Sequence, residues 1–205
     1  MTRSEEKIAL IIKTAKKLFL AQGFTITSMD QIAQTAGVSK KTVYHHFPDK
    51  VRLFQAVISE HWHHVMQLEQ PLFDENKTPA ENLQNFSSKL LAFFTQKKTM
   101  DLLRLLIAES NKFPHLAKIL ISNNAGPFTN ELAQYLKKEN TKGTLKIANA
   151  ELAADQFLGM LKERHFWLNF FAGIKKKNQK QINHSIKEAI KIFLQYYQKD
   201  GGLRG

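Results

Sequence analysis

The chain has no cysteine among its 205 residues, which excludes disulfide bonds and cysteine-ligated zinc sites. It has no apolar run near the ~18–20 residues that a membrane-spanning helix needs, and its first residues lack a secretory cleavage pattern. Nucleophile elbows, glycine-rich phosphate loops and recognisably spaced carboxylate pairs are also missing from the sequence. These absences favour a cytoplasmic protein that is not an enzyme, does not bind membranes and needs neither cofactor nor metal.

Positive charge is what the chain has in excess. Its 30 Lys and Arg residues against 18 Asp and Glu give a net charge of +12, which favours nucleic acid or another anionic surface as partner. Residues 1–50 hold 8 basic and 4 acidic residues, so most of the excess lies further along the chain. The charge therefore indicates a class of partner without locating its site.

Nearly every segment has the apolar spacing of a helix, and no stretch shows the alternation of a strand. The pattern predicts an all-α protein. We expect a three-helix head over residues 1–48, a helical bundle over residues 49–200 and a disordered tail over residues 201–205.

Proline and glycine divide the bundle. Helices are expected from Lys50 to about residue 70, from Pro79 onwards, over about 150–171 and over 181–198. The segment 73–79 is the best candidate for a linker.

The stretch from Ser28 to Lys50 is the most informative part of the chain. Ser28 is a favourable N-cap, and Gln31 stands where a reciprocal capping box needs it. Gly37 can take the left-handed conformation that ends a helix, and Ser39 is placed to cap the next one. Two short helices joined by a tight turn are therefore predicted.

The second of these helices presents a dense set of donors to solvent. Its Val43 and Phe47 point inward, which leaves the other face to Lys40, Lys41, Thr42, Tyr44, His45 and His46. A short, braced helix with positive charge on its outer face suits insertion into the major groove of DNA.

A family resemblance rests on this order of residues. It comprises Gly23-Phe24, Ser28-Met29-Asp30-Gln31-Ile32-Ala33, Ala36-Gly37-Val38-Ser39-Lys40, Thr42-Val43-Tyr44, Phe47 and Lys50. This order closely resembles the DNA-binding domain of TetR/AcrR-type transcription regulators over the first quarter of the chain. Lys41 departs from the pattern, because these proteins often carry glycine or another small residue there.

The resemblance implies a homodimeric repressor that binds a palindromic double-stranded DNA operator and releases it when a small hydrophobic or aromatic effector binds. In its DNA-binding set, Lys40 and Lys41 are expected to reach guanine or flanking phosphates, and Thr42 a thymine methyl or a phosphate. Tyr44 and His46 resemble the family's backbone-contacting residues, and His45 lies between them. The amino ends of the helices at Ser28 and Lys50 are natural phosphate sites, and Ser39, the cap of the second helix, completes the DNA-binding set.

The bundle supplies two further sets of candidates. An apolar, aromatic ligand cavity is expected to be lined by Trp62, Met66, Phe86, Phe93, Phe94, Leu103, Ile107, Phe113, Phe128 and Trp167. Pairing of the last two helices across a two-fold axis, which the resemblance implies, is expected to use Phe157, Leu161, Leu168, Ile186, Ile190, Phe193 and Tyr197.

Other hypotheses remain open from sequence. One is a ligand-independent DNA-binding protein whose bundle only dimerises, and another is a basic bundle that docks on anionic membrane. His61 and His64 are spaced to chelate a metal, but they lack a neighbouring cysteine or carboxylate pair, so a solvated or pocket-edge role is favoured.

Overall fold

The computed structural model describes residues 2–66, 71–114, 118, 126–172 and 178–198. Within them the chain is helical, with a single antiparallel bridge between Leu145 and Gln198. The α-helices are α1 (Arg3–Gln22), α2 (Met29–Ala36), α3 (Lys40–His46), α4 (Lys50–Met66), α5 (Pro79–Thr95), α6 (Lys97–Ser110), α7 (Gly126–Thr141), α8 (Ala150–Lys162), α9 (Leu168–Ala172) and α10 (Gln179–Tyr197). The expected all-α class is confirmed.

The chain folds as two compact units. The first comprises Met1–Val65 and Asp101–Asn123, and the second Met66–Met100 and Asn124–Gly205. This division differs from the boundary expected at residue 48. Most of α4 belongs with the head, because Phe54 lies with its ring centroid 5.2 Å from those of both Phe19 and Phe24.

The core of the first unit joins α1, α2, α3 and α4 through apolar side chains. Phe19, Ile32 and Val43 are fully buried, and Phe24 and Phe47 are nearly so. The predicted inward face of α3 is therefore confirmed.

The helix ends of the head follow the expected capping chemistry, with one difference. Ser28 Oγ accepts a hydrogen bond from the Gln31 amide at 3.1 Å, and Gly37 has φ 66° at the end of α2. The Gln31 side chain does not complete a capping box. It bonds instead to the side chain of Gln22 at the end of α1, at 2.6 and 3.2 Å, which ties α2 to α1.

The core of the second unit combines aliphatic side chains with several pairs of aromatic rings that join helices. Phe157 of α8 lies edge-on to Phe193 of α10, with 5.1 Å between ring centroids. The helix expected over 150–171 is interrupted by a π-helical segment, Glu163–Trp167, between α8 and α9. A π-turn accommodates an extra residue and changes the face on which later side chains lie.

The expected linker at 73–79 is folded against its neighbours. Phe73 stacks on Tyr135 of α7 at 4.2 Å. The Asn82 side chain accepts from the Asp74 amide at 2.9 Å and donates to the Asp74 carbonyl at 2.8 Å. Among the helices that the structure describes, none has the length and apolar character to cross a membrane.

Candidate nucleic-acid interface

The outer face of α3 carries polar side chains that its short backbone holds in place. Ser39 Oγ accepts from the Thr42 amide at 3.1 Å and lies 2.8 Å from the Thr42 hydroxyl, which fixes the first turn. Lys40, Lys41 and His45 are exposed, and Thr42 and His46 are half-buried. Tyr44 is half in solvent, whereas the preceding Val43 is buried. This arrangement matches the exposed face that the sequence predicted, while contact with DNA stays a prediction.

A groove of about 480 Å³ lies between the beginning of α1 and α3. Its lining residues are Arg3, Ser4, Lys7, Ser39, Lys41, Thr42, His45 and His46. Arg3 and Lys7 thus join the basic surface of α3, although they stand more than 30 residues away in sequence. Nothing in their local pattern signals this, because only the packing of α1 on the helix-turn-helix brings them there.

A second groove of about 520 Å³ runs along the beginning of α2 and reaches the first residue of α3. Ser28, Asp30, Gln31 and Lys40 contribute its polar lining. The two grooves give the head concave, donor-rich surfaces beside α3, where phosphate oxygens and base edges are the natural acceptors.

Lys50 lies at the start of α4 and is already engaged within the head. Its ammonium donates to the carbonyls of Phe24, Thr25 and Thr27 at 2.7, 3.2 and 2.9 Å, and it sits 4.5 Å from the centre of the Phe24 ring. Burial lowers the pKa of Lys50, and the Glu109 carboxylate opposes that change. A phosphate contact by Lys50 stays a prediction, but holding the loop before α2 is its role in the structure.

Glu109 of α6 holds the same loop from another side. Its carboxylate accepts from the Thr25 hydroxyl at 2.7 Å and from the Thr25 amide at 3.3 Å. Phe113 packs edge-on to Phe24 nearby, with 5.0 Å between ring centroids. Sequence reasoning missed this contact, since the partners are 84 residues apart and no local pattern links them.

The candidates for a ligand cavity fall into two sets. Phe86, Phe93, Phe94 and Phe128 are brought together in the second unit, where neighbouring rings lie 5.2–6.3 Å apart. Phe94 also meets Phe166, at 4.9 Å.

The other cavity candidates lie elsewhere or are not described. Leu103, Ile107 and Phe113 belong to the first unit, where Phe113 contacts the Phe24 ring as described above. Trp167 is in the second unit with part of its ring in solvent, and the side chains of Trp62 and Met66 lie outside the described residues.

Five members of the predicted dimer-interface set lie in the core of their own chain: Phe157, Leu161, Ile186, Ile190 and Phe193. The helices α8 and α10 each carry an inner and an outer apolar stripe, which the sequence alone does not distinguish, and these five residues belong to the inner one. Their pairing with a partner chain stays a prediction.

The remaining two members have different outcomes. Tyr197 is half-buried and donates to Gln156 at 3.1 Å, and the side chain of Leu168 lies outside the described residues. The outer stripe of these helices consists of Leu152, Met160, Ile192 and Tyr196, which line a groove of about 680 Å³.

The histidine pair proposed as a possible chelate is only partly described. His61 is buried, and its Nδ1 lies 3.0 Å from the Lys16 ammonium, whereas the side chain of His64 lies outside the described residues. Within the described part of the chain, no group of three metal-ligating side chains occurs.

Two family descriptions match the chain, one to each end. Residues 11–57 match the family described as bacterial regulatory proteins, tetR family. Residues 81–199 match the family described as the C-terminal domain of AefR-like transcriptional repressors.

Solved structures of similar fold cover nearly the whole chain. The flavonoid-responsive regulator FrrA is 31% identical with a TM-score of 0.85, over 96% of this chain and 99% of FrrA. A TetR family transcriptional regulator from Pseudomonas syringae is 25% identical with a TM-score of 0.73, over 97% of this chain and all of that one.

Curated relatives match over shorter stretches. The transcriptional activator FasR of Mycolicibacterium smegmatis is 34% identical over 94 residues, which are 46% of this chain and 41% of FasR. The chain thus spans less than half the length of the first curated relatives that it matches.

Proposed function

Because this chain belongs to the TetR family of DNA-binding transcription regulators, which are not enzymes, we propose that it is a homodimeric repressor released from a palindromic operator by a small aromatic ligand. The observation that carries the proposal is the match of residues 81–199 to the AefR-like repressor domain. A cytoplasmic location accompanies this role, since the operator DNA is there.

The exposed face of α3 supports reading of DNA in the major groove. Lys40, Lys41 and Thr42 stand in its first turn, where side chains of a recognition helix reach base edges. Tyr44 and His46 follow as backbone contacts, and Arg3 and Lys7 add charge beside them for phosphates. One such helix spans few base pairs, so two heads about 34–36 Å apart on a palindrome supply the missing specificity.

A second copy of this chain is the proposed occupant of the outer stripe on α8 and α10. Leu152, Ile192 and Tyr196 are 52%, 56% and 65% exposed. Large apolar side chains exposed in one patch are unusual on a monomer and are typical of an interaction surface. A two-fold axis through this patch would set the same residues against each other in a four-helix bundle.

Sedimentation of Ile192→Asp tests the dimer. We expect wild type to sediment as two chains and Ile192→Asp as one, because a charge would then be buried without a partner. Ile26→Asp, which places the same charge at an isoleucine that is exposed in the first unit, should remain dimeric. Dimeric Ile192→Asp would contradict the placement of the interface.

The aromatic cluster of the second unit supports a flat, apolar effector. Phe93, Phe94 and Phe128 present ring faces and edges at 5.2–6.3 Å, the kind of surroundings that apolar ligand sites have. The similarity to FrrA, a flavonoid-responsive regulator, makes flavonoids the first class to test.

Operator release is measured in two steps. Duplexes bound by the protein are first selected from a random pool, and the affinity for the selected palindrome is then titrated with and without a panel of flavonoids. We expect at least one flavonoid to weaken binding by about 5–150-fold, the usual range of coupling between sites. Unchanged affinity at saturation with every bound flavonoid would contradict this effector class.

The sign of regulation has its own test, because FasR is named an activator. A reporter placed under the selected palindrome should be silent with the protein present and active without it. A reporter that needs the protein for expression would overturn the repressor assignment and leave the DNA-binding role intact.

A further inference from the structure

The first turn of α2 places a carboxylate beside the beginning of α3. Asp30 is the second residue of α2 after the Ser28 cap, and Lys40 is the first residue of α3. Nζ of Lys40 donates to Oδ2 of Asp30 at 2.6 Å, with 67% of the lysine side chain and 53% of the aspartate side chain exposed. This ion pair spans the turn of the helix-turn-helix and lines the groove along α2.

The stability of the head does not account for this pair. An exposed ion pair adds little to the free energy of unfolding, because water screens it and both side chains lose rotamer freedom. The hydrogen bond to the Asp30 carboxylate raises the pKa of the Lys40 ammonium, yet the carboxylate cancels the lysine charge toward a phosphate. General affinity for DNA would therefore be higher without Asp30, so its presence calls for another explanation.

The major-groove edge of a G·C pair offers an explanation for the presence of Asp30. It presents two adjacent acceptors, N7 and O6 of guanine, followed by the N4 amino donor of cytosine. An ammonium beside a carboxylate is the complement of that edge, since Lys40 can donate to guanine while Asp30 accepts from cytosine. An A·T pair also sets an acceptor, adenine N7, beside an amino donor, but there the ammonium has one acceptor where guanine offers two.

We propose that Asp30 and Lys40 act as one unit that reads a single G·C pair in each half of the operator. This inference rests on the proposed reading of DNA by α3 and adds the carboxylate as a specificity-determining residue. On any other base pair in that orientation the ammonium finds fewer than two adjacent acceptors and stays on Asp30, so neither group makes its full set of contacts with the base edge. The pair therefore binds the matched site more tightly than the others.

Selection from a random duplex pool with three proteins tests the inference. Wild type should enrich a palindrome with a G·C pair at one defined position of each half-site. Wild type should prefer that pair roughly tenfold over the other base pairs. Lys40→Ala and Asp30→Ala should both lose this preference at the same position. On a scrambled duplex Asp30→Ala should bind several-fold more tightly than wild type, whereas Lys40→Ala should bind more weakly.

Glu151→Ala is the matched control. It removes one carboxylate from an exposed ion pair in the second unit, where Lys137 donates to Glu151 at 2.8 Å. The net charge changes as in Asp30→Ala, so a purely global charge effect would appear in both variants. We expect Glu151→Ala to keep the wild-type preference at every position.

The outcomes separate this inference from the proposed function. If wild type enriches a palindrome and Asp30→Ala keeps every preference of it, Lys40 reads alone and the inference is overturned while the regulator stands. Relaxation at different positions in the two variants would also overturn it, because the residues would not act as a unit. Enrichment of no sequence by wild type would refute sequence-specific regulation itself.

Discussion

The two compact units depend on different kinds of contact. In the first, charged groups fix the loop that precedes α2, since Lys50 donates to three of its carbonyls and Glu109 accepts from Thr25. In the second, helices meet through aliphatic side chains and pairs of rings, as where Phe157 packs on Phe193. Hydrogen bonds fix direction and suit a head that presents α3 in one orientation, whereas burial of apolar side chains is non-directional.

Removal of the Phe157 ring should have the largest effect on stability, because this ring lies in the core of the second unit. Phe157 is fully buried, so Phe157→Ala should lower the free energy of unfolding by about 3–5 kcal/mol through lost burial and an unfilled cavity. Urea unfolding measures this. The control Phe171→Ala removes the same ring at a residue that is 77% exposed and should cost under about 1 kcal/mol.

The same variant decides between the two roles given to Phe157. An unchanged unfolding free energy together with weakened self-association would restore its predicted place in the dimer interface. Loss of stability at every protein concentration would agree with the buried position.

Loss of the Lys50 ammonium should have the next largest effect on stability, because it removes the hydrogen bonds that hold the loop before α2 in the first unit. Methionine can still cover Phe24 but leaves three carbonyls without their charged donor. We expect Lys50→Met to cost about 1.5–3 kcal/mol of stability. Amide hydrogen exchange over residues 23–28 should quicken, which locates the change.

Lys41→Met provides the comparison for that variant. It removes an exposed ammonium from α3 and should change stability by less than about 0.5 kcal/mol. If Lys50→Met were as stable as wild type and lost only affinity for DNA, the predicted phosphate contact would be its main role.

The head was predictable from sequence because its determinants are local. Ser28 caps an amide three residues away, Gly37 takes the left-handed conformation where α2 ends, and Val43 faces inward at the expected phase. Each rule involves residues within one or two helical turns, so a single sequence contains the needed information.

Contacts across long stretches of sequence were not predictable in this way. The Gln31 side chain forms a hydrogen bond with Gln22 instead of capping its own helix. Glu109 forms one with Thr25, 84 residues away in sequence. In α8, periodicity shows both apolar stripes, but only packing against α10 decides that Phe157 is inside and Leu152 outside. The sequence therefore identifies the aromatic residues of the second unit as a set, whereas the position of each one depends on packing.

The smallest expected effect is on the pH dependence of stability. It tests the comparison at a polar group, Tyr135, that lies in the core of the second unit. Burial raises the pKa of Tyr135 to about 12, with the Asn82 hydrogen bond opposing and Glu139 adding to the shift. Its ring stacks on Phe73 at 4.2 Å, so ionisation would place a charge among packed side chains.

The sign of the pH dependence follows from where the proton is held. An unfolded tyrosine ionises near pH 10, so above that pH the unfolded state loses a proton that folded Tyr135 keeps. The contribution is fully present below about pH 10 and is lost as pH rises through about 12. Urea unfolding at about pH 8 and about pH 11 should show wild type losing about 1–2 kcal/mol more than Tyr135→Phe, which has no proton to lose. Equal losses in the two proteins would mean that Tyr135 ionises as readily folded as unfolded, and would contradict the effect of burial on its pKa.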